Sequence, residues 1–260
     1  MKISIITVVM NSLAEMRKTL ISLREQTYQD FEFVVIDGNS NDGTLNLLQN
    51  NRDIIDVLVS EKDNGLYYAM NKGRELASGD FAIFINSGDV FTKKNILELV
   101  DKEITSKDLI YYGNVILHNQ KKYGKAVNLH HQSVFYPRSY YCNSRYNVER
   151  FNIMAEADFT RRALKSHDLQ YFDIDILYSE LNGFGVSYYK SWKGSKELIQ
   201  ESIALLKEVK GKVSIISFVK IYVVHTIKFL LFKVGGMSLL SSMIIRNGVK
   251  SKSPIINNSI

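Results

Sequence analysis

The sequence predicts an α/β fold with a mostly parallel central sheet and flanking helices. Two short runs rich in β-branched and aromatic residues, 3–9 (ISIITVV) and 31–36 (FEFVVI), bracket a segment whose Met16, Leu20 and Leu23 recur at helical spacing. Strands continue to alternate with helical stretches up to about residue 100, as parallel crossover connections require. Each strand also ends in a polar, acidic loop. In a parallel sheet the carboxyl ends share one edge, so Asp37, Asp63 and Asp89 are expected to converge on one crevice.

Ser12-x-x-Glu15 reads as a capping box at the start of the first helix. The turn-rich loop Asp37-Gly-Asn-Ser-Asn-Asp-Gly43 precedes a helix near 44–51, a strand near 55–60 and a loop at 61–65. A helix at about 66–77, a strand over 81–85 and the loop Asn86-Ser-Gly-Asp89 follow, with a further helical segment over 92–100. Beyond 109 the pattern shifts to shorter strand-like pieces at 109–112, 115–118 and 133–136, then helices around 156–166 and 195–210.

With 260 residues and 45% hydrophobic content the chain can bury the core of one large domain, or one domain plus an appendage. Disorder and collagen-like repeats are excluded. Cys142 is the sole cysteine and cannot form an internal disulfide, so a reducing compartment is expected. The N-terminal apolar run reads as a first strand, not as a signal peptide, because no small-residue cleavage site follows it.

The net charge of +6 is unevenly spread. Seven basic residues follow Lys210 and no acidic residue follows Glu208, which leaves 26 basic against 27 acidic residues in 1–210, a net −1. A nucleic-acid partner loses its support, since no basic excess marks the folded part. An acid-free, basic, apolar tail suggests an anionic membrane surface. Residues 213–234 carry Lys220, Lys228 and Lys233 along their length, too many for a spanning helix. We expect an interfacial helix pair over 213–245, broken at Gly235-Gly236, with packing on the catalytic domain or in a homodimer as the alternative.

No GxGxxG follows the first strand and GxxxxGK[ST] is absent, so dinucleotide dehydrogenases and P-loop NTPases are excluded. What the crevice offers is carboxylates, which reach a phosphate through a divalent cation, Mg²⁺ or Mn²⁺ by ligand type. Asp89 is the best placed metal ligand; its bland alternative is an Asx turn or the cap of the following helix.

Several segments together resemble glycosyltransferase family 2: Ile5-Ile-Thr-Val-Val9 with Asn11, Val34-Val-Ile-Asp37-Gly-x-Ser40-x-Asp-Gly-Thr44, Glu61-x-Asp63-x-Gly65-Leu-Tyr-x-Ala-Met-Asn71-Lys-Gly73, Ala77-x-Gly79-Asp80 and Asn86-Ser-Gly-Asp89. A looser likeness to the subgroup that builds bacterial surface polysaccharides runs through His131-Gln-Ser-Val-Phe135-Tyr and Ile153-Met-Ala-Glu-Ala-Asp158. The resemblance implies a GT-A fold, with a nucleotide-sugar-binding half at 1–108, an acceptor-binding half at 109–210, and the tail 211–260 outside it. It implies that Asp37 accepts a nucleobase hydrogen bond from uracil, thymine or guanine, with Thr7, Asn11 and Ser40 around it. Asp63, Asn71, Asn86 and Ser87 would line the nucleotide-sugar, Lys72 or Arg74 would neutralise the diphosphate, and His131 would lie on the diphosphate or acceptor side. Two departures stand out: Gly88 precedes Asp89 where a second acid is frequent, and Tyr68 replaces a frequent Asp.

The implied reaction is inverting transfer of a single sugar, most simply from a UDP-sugar, to a lipid-linked saccharide at the cytoplasmic membrane face. Its base should be a carboxylate at a helix start in the second half. Glu156 fits the pattern, with Asp158 the other candidate; two residues apart on a helix they do not share a face. Trp192, Tyr188 and Tyr189 are candidates for a sugar-stacking wall. A non-catalytic binding subunit is the rival reading, motivated by Tyr68 and the lone metal-loop acid.

Overall fold

Strand β1 (Ile3–Val9) forms because six of its seven residues are β-branched, and it is buried almost throughout. Sheets covered on both faces need such unbroken runs. β2 (Phe31–Asp37) lies parallel to β1, from Ile3 opposite Phe31 to Val9 opposite Asp37. β3 (Val57–Ser60) adds in parallel to β2, and β4 (Phe81–Phe84) in parallel to the other side of β1. Helix α1 (Leu13–Arg24) sends Met16, Leu20 and Leu23 into one core with Ile3, Ile5, Phe33 and Val35. After α2 (Thr44–Gln49) and β3, helix α3 (Leu66–Leu76) brings Gly73 against Ile6 and Ile36, which point to the opposite face. The parallel strands are therefore covered by helices on both sides.

The computed structural model describes residues 1–117, 122–123, 130–179, 191–210 and 214–233. Two compact units divide the chain: Met1–Tyr146 with Phe159–Glu180, and Asn147–Asp158 with Leu181–Ile260. The first unit continues through β5 (Val90–Phe91), α4 (Ile96–Glu103), β6 (Ile110–Leu117), β7 (Lys122–Tyr123), a 3₁₀ turn (His131–Ser133), β8 (Val134–Pro137) and α5 (Arg138–Tyr141). Helix α6 (Ala155–Ser166) and strand β9 (Leu169–Ser179) follow. The sheet order is β3-β2-β1-β4-β8-β6-β9-β5, with β7 on β6. β8 is antiparallel to β4 and β6, β5 is antiparallel to β9, and β6 and β9 are parallel.

Three sequence expectations change here. The pieces at 109–112 and 115–118 belong to one strand, β6, with a register irregularity around Gly113; a Cβ there would meet the Ile174 carbonyl oxygen at 2.7 Å. His118 lies outside the described residues. The eleven-residue β9 has no counterpart among the expected elements. The helical segment expected over 92–100 starts instead at Ile96.

In the second unit, α7 (Trp192–Lys210) and α8 (Ile215–Lys233) are both helical over 19 residues. Ile153 and Leu198 form a small cluster against which Met154 and Phe229 pack. The buried carboxylate of Glu201 accepts the N–H groups of Asn152, Ile153 and Met154 at 2.7, 2.9 and 2.8 Å. Among the described residues no helix is long and apolar enough to cross a membrane. The expected second helix of the tail, beyond Gly235-Gly236, lies outside the described residues.

Candidate active site

The carboxyl ends of β1 and β2 and the loop after β3 enclose a pocket of about 260 Å³, lined by Val9, Met10, Gly38, Asp63, Gly65 and Leu66 among others. Asp37 closes β2 next to Gly38. Its Oδ2 accepts the Ser40 N–H at 3.0 Å and the Ser60 hydroxyl at 2.6 Å, while its Oδ1 is buried without a hydrogen-bond partner. Two other oxygens in this region share that condition, Thr7 Oγ1 and Asp63 Oδ2. A buried polar atom left unpaired costs about 1–3 kcal/mol, so the unpaired oxygens of β1, of the end of β2 and of the loop after β3 mark this end of the parallel sheet as a place where a ligand could complete them.

The surrounding loops are held by side chains that the sequence had marked for the ligand. Asn11, with a positive φ of 49°, receives the Asn41 N–H on Oδ1 at 2.9 Å and gives its own N–H to Ser40 Oγ at 2.8 Å. The expected capping box is replaced. Ser12 and Glu15 bond to one another at 3.2 Å, and the amides of Ser12 and Leu13 donate to Thr44 and Asp42 of the next loop. Lys72 forms ion pairs with Asp63 Oδ1 at 2.7 Å and with Glu61. Burial pulls its ammonium down, but the bonds to Asp63 and Glu61 outweigh that and raise its pKa. Arg74 is buried and donates to the Tyr141 and Cys142 carbonyls, so it serves the fold and not a diphosphate. Asn71 is likewise engaged at both ends by the Tyr146 backbone, at 3.0 and 2.8 Å.

Asp89 sits in the turn after β4. Gly88 has φ 99°, a left-handed conformation in which a second carboxylate-bearing residue would be strained. Asp89 is 4% exposed and accepts hydrogen bonds from the Asn86 N–H at 3.0 Å, from the Gln132 amide and from Ser179. Burial pushes its carboxyl up to about 7, because its neutral donors only partly offset desolvation. Ser87 Oγ donates to Ser12 Oγ at 3.1 Å, tying this turn to the start of α1. His131 opens the 3₁₀ turn that carries Gln132, stacks on His130 with ring centroids 5.4 Å apart, and is pushed by burial down to about 4, hence neutral near pH 7.

A carboxylate with neutral donors and no cationic partner in its shell fits Mg²⁺ or Mn²⁺ if the remaining ligands are diphosphate oxygens and water. The donor set does not fit a cage of protein ligands. Among the described residues no group of three or more His, Cys, Asp and Glu side chains could hold a metal.

Both base candidates lie in the first turn of α6. Asp158 is 2% exposed, whereas Glu156 is half-buried, so Glu156 is the more accessible of the two. Tyr188 and Tyr189 lie outside the described residues. Sequence reasoning missed Ser60, Gln132 and Ser179. Ser60 was legible as the residue just before the acidic loop Glu61-x-Asp63, and Gln132 lies inside a segment already marked; Ser179 ends the strand that spacing did not reveal.

Residues 4–172 match the family described as glycosyl transferase family 2. The chain belongs to this family. It is similar to a PGL/p-HBAD biosynthesis glycosyltransferase of Mycobacterium bovis, 31% identical over 199 residues that cover 70% of this chain and 77% of the relative. In three dimensions this family 2 chain is similar to S. aureus TarS, with TM-score 0.62, 16% identity and 86% of this chain covered. It spans 43% of that longer protein, whose 1–349 fragment has been solved with UDP-GlcNAc. It is equally similar to the mannosyltransferase PcManGT of Pyrobaculum calidifontis solved with GDP-Man and Mn²⁺, with TM-score 0.62 and 14% identity, covering 97% of this chain and 76% of that one. The chain shares with these neighbours the mixed α/β GT-A fold.

Proposed function

We propose that this family 2 protein is a metal-dependent, inverting glycosyltransferase that moves one sugar from a nucleoside-diphosphate sugar to a lipid-linked saccharide in cell-surface glycoconjugate synthesis. The observation that carries the reading is a pocket at the carboxyl edge of the parallel strands lined by Asp63, whose Oδ2 is buried and unpaired, with two further unpaired buried oxygens, Thr7 Oγ1 and Asp37 Oδ1, on the strands β1 and β2 that end at its wall. They supply acceptors for a base N–H and ribose hydroxyls. Lys72 holds Asp63 in place by pairing with its other oxygen.

In the transfer, the acceptor hydroxyl oxygen attacks the anomeric carbon as the bond to the diphosphate oxygen breaks, and the diphosphate keeps the electron pair. The proton of the attacking hydroxyl passes to Glu156, since an alcohol is too weak a nucleophile unaided. A divalent cation bound at Asp89 would supply electrostatic stabilisation to the leaving diphosphate. Asn86 and Gln132 orient the Asp89 carboxylate toward that task. The basic, acid-free tail supports a lipid-borne acceptor and a peripheral position on an anionic membrane face.

A screen of nucleotide-sugars for slow hydrolysis tests the reading and names the donor. Glu156→Gln should lower turnover by at least 10³-fold and leave nucleotide affinity within about twofold, as removal of a general base does. Asp89→Asn should abolish any gain in nucleotide affinity on adding Mn²⁺. Turnover in Glu156→Gln at the wild-type rate would assign the base elsewhere.

A further inference from the structure

The neighbours of similar fold are solved with both uridine and guanosine nucleotides, so the likeness leaves the base open. The two oxygens of Asp37 do not. Oδ2 already accepts two hydrogen bonds, from the Ser40 N–H at 3.0 Å and the Ser60 hydroxyl at 2.6 Å, which fills both of its lone-pair directions. Oδ1 accepts none. Asp37 is fully buried and its neighbour Gly38 lines the pocket, so a base that displaces this cover meets a carboxylate with one oxygen left to accept. Guanine presents two adjacent donors, N1–H and the 2-amino group, and needs both oxygens of a carboxylate. Uracil and thymine present one donor, N3–H, between two carbonyl acceptors. Adenine and cytosine place a ring-nitrogen acceptor where the donor must be. Thr7 Oγ1, a buried hydroxyl without a partner on the adjacent strand opposite Val35, is able to donate to a base carbonyl.

We infer that Ser60 is a specificity-determining positioning residue: by occupying Asp37 Oδ2 together with the Ser40 amide, it restricts the base to a pyrimidine imide, uracil or thymine, and rejects guanine. This rests on the proposed nucleotide-sugar reading of the same pocket. Ser60 ends β3 directly opposite Asp37, in register across the β2–β3 pair, and belongs to neither of the acidic loop's ion pairs. Its hydroxyl acts on the ligand through Asp37 and not by contact.

The test is calorimetric titration of the full-length protein with UDP, dTDP, CDP, GDP and IDP in the presence of Mn²⁺. The wild-type protein should bind UDP or dTDP at least 30-fold more tightly than GDP or CDP, in line with one to three kcal/mol per unpaired buried group. IDP, which is guanosine diphosphate without the 2-amino group, should bind severalfold more tightly than GDP, because only that amine meets the filled oxygen. CDP, matched to UDP in size, separates hydrogen-bond choice from a simple size limit. In Ser60→Ala the UDP-to-GDP ratio should shrink about tenfold, and Ser60→Thr, which keeps the hydroxyl, should restore it. A ratio unchanged in Ser60→Ala, or GDP bound as tightly as UDP by the wild-type protein, overturns the assignment to Ser60. Absence of binding to all five nucleotides by the folded wild-type protein overturns the nucleotide-sugar reading itself.

Discussion

At the scale of single residues the sheet end remote from the pocket is held by Glu32. This buried carboxylate accepts bonds from the Ser4 hydroxyl at 2.5 Å, from both the amide and hydroxyl of Ser78, from the Gly79 amide at 3.0 Å and from the Lys2 ammonium at 2.7 Å. Desolvation alone would raise its pKa, but the bonds from Lys2, Ser4 and Ser78 win and hold it near 2. A depressed carboxylate contributes stability that is complete above its unfolded pKa, about 4.5, and is lost as pH falls toward 2. The contribution at neutral pH is of order 3 kcal/mol. Glu32→Gln should therefore cost about 2–3 kcal/mol by urea unfolding at pH 7, and the gap from wild type should close as pH falls from about 4.5 to 2. A gap that stays constant over that range would show that packing, and not ionisation, sets Glu32's contribution.

At the scale of elements, Glu201 on α7 deserves comparison with a helix cap. Its two oxygens take three consecutive backbone N–H groups, those of Asn152, Ile153 and Met154, just before α6 begins. These amides have no helical partner of their own at this position, so α7 supplies what an N-terminal cap residue would. The segment so fixed leads within two residues to Glu156. Glu201→Ala should lower kcat at least tenfold while nucleotide affinity stays within twofold, and Glu201→Gln, which keeps one acceptor oxygen, should recover part of the loss. Equal kcat in wild type and Glu201→Ala would detach this clamp from catalysis.

The same scale shows what spacing could and could not reveal. β1 to β4 were legible because each is a short run rich in β-branched and aromatic residues followed by turn residues, and β1, β2 and β4 are buried almost throughout. β9 was not, although Phe172, Ile174 and Ile176 alternate with Asp173 and Asp175, because Asp is depleted in strands. Their charges are accommodated on one side of the strand by the Asn114 amide, which donates to both at 2.9 and 3.1 Å. A pairing across two strands separated by more than fifty residues leaves no local trace. For the site, Asp37, Asp63 and Asp89 were legible as acids at strand ends, and the family resemblance marked Thr7 and Ser40. The partners of Asn71 and Arg74 were not legible, because a polar residue on a helix looks the same in sequence whether it faces a ligand or, as here, the backbone of residues 141–146.

At the scale of the whole molecule, the charge imbalance and the second unit bear on one another. Helix α8 exposes Val219, Tyr222, Val223, Ile227 and Leu230, each at least 40% accessible and together within an arc of about 140° at 100° per residue. Phe229, at the border of that arc about 20° beyond Tyr222, packs on the Ile153–Leu198 cluster. The helix thus has an inner contact within its unit and an outer apolar stripe on a segment that carries no acidic residue. Such a stripe with basic neighbours fits an anionic interface, where each lysine near the surface adds about 1 kcal/mol. The triple variant Val219→Glu, Val223→Glu, Ile227→Glu should lose sedimentation with phosphatidylglycerol vesicles and retain both nucleotide affinity and turnover on a soluble acceptor. Removal of residues 213–260 should abolish vesicle binding too, but it also strips Phe229 from the cluster next to Met154. Its turnover on the soluble acceptor should therefore fall well below that of the triple variant, while nucleotide affinity, which depends on the other unit, is preserved. Equal turnover in the two proteins would confine α8 to the membrane role, and undiminished vesicle binding by the triple variant would move the lipid contact off this face.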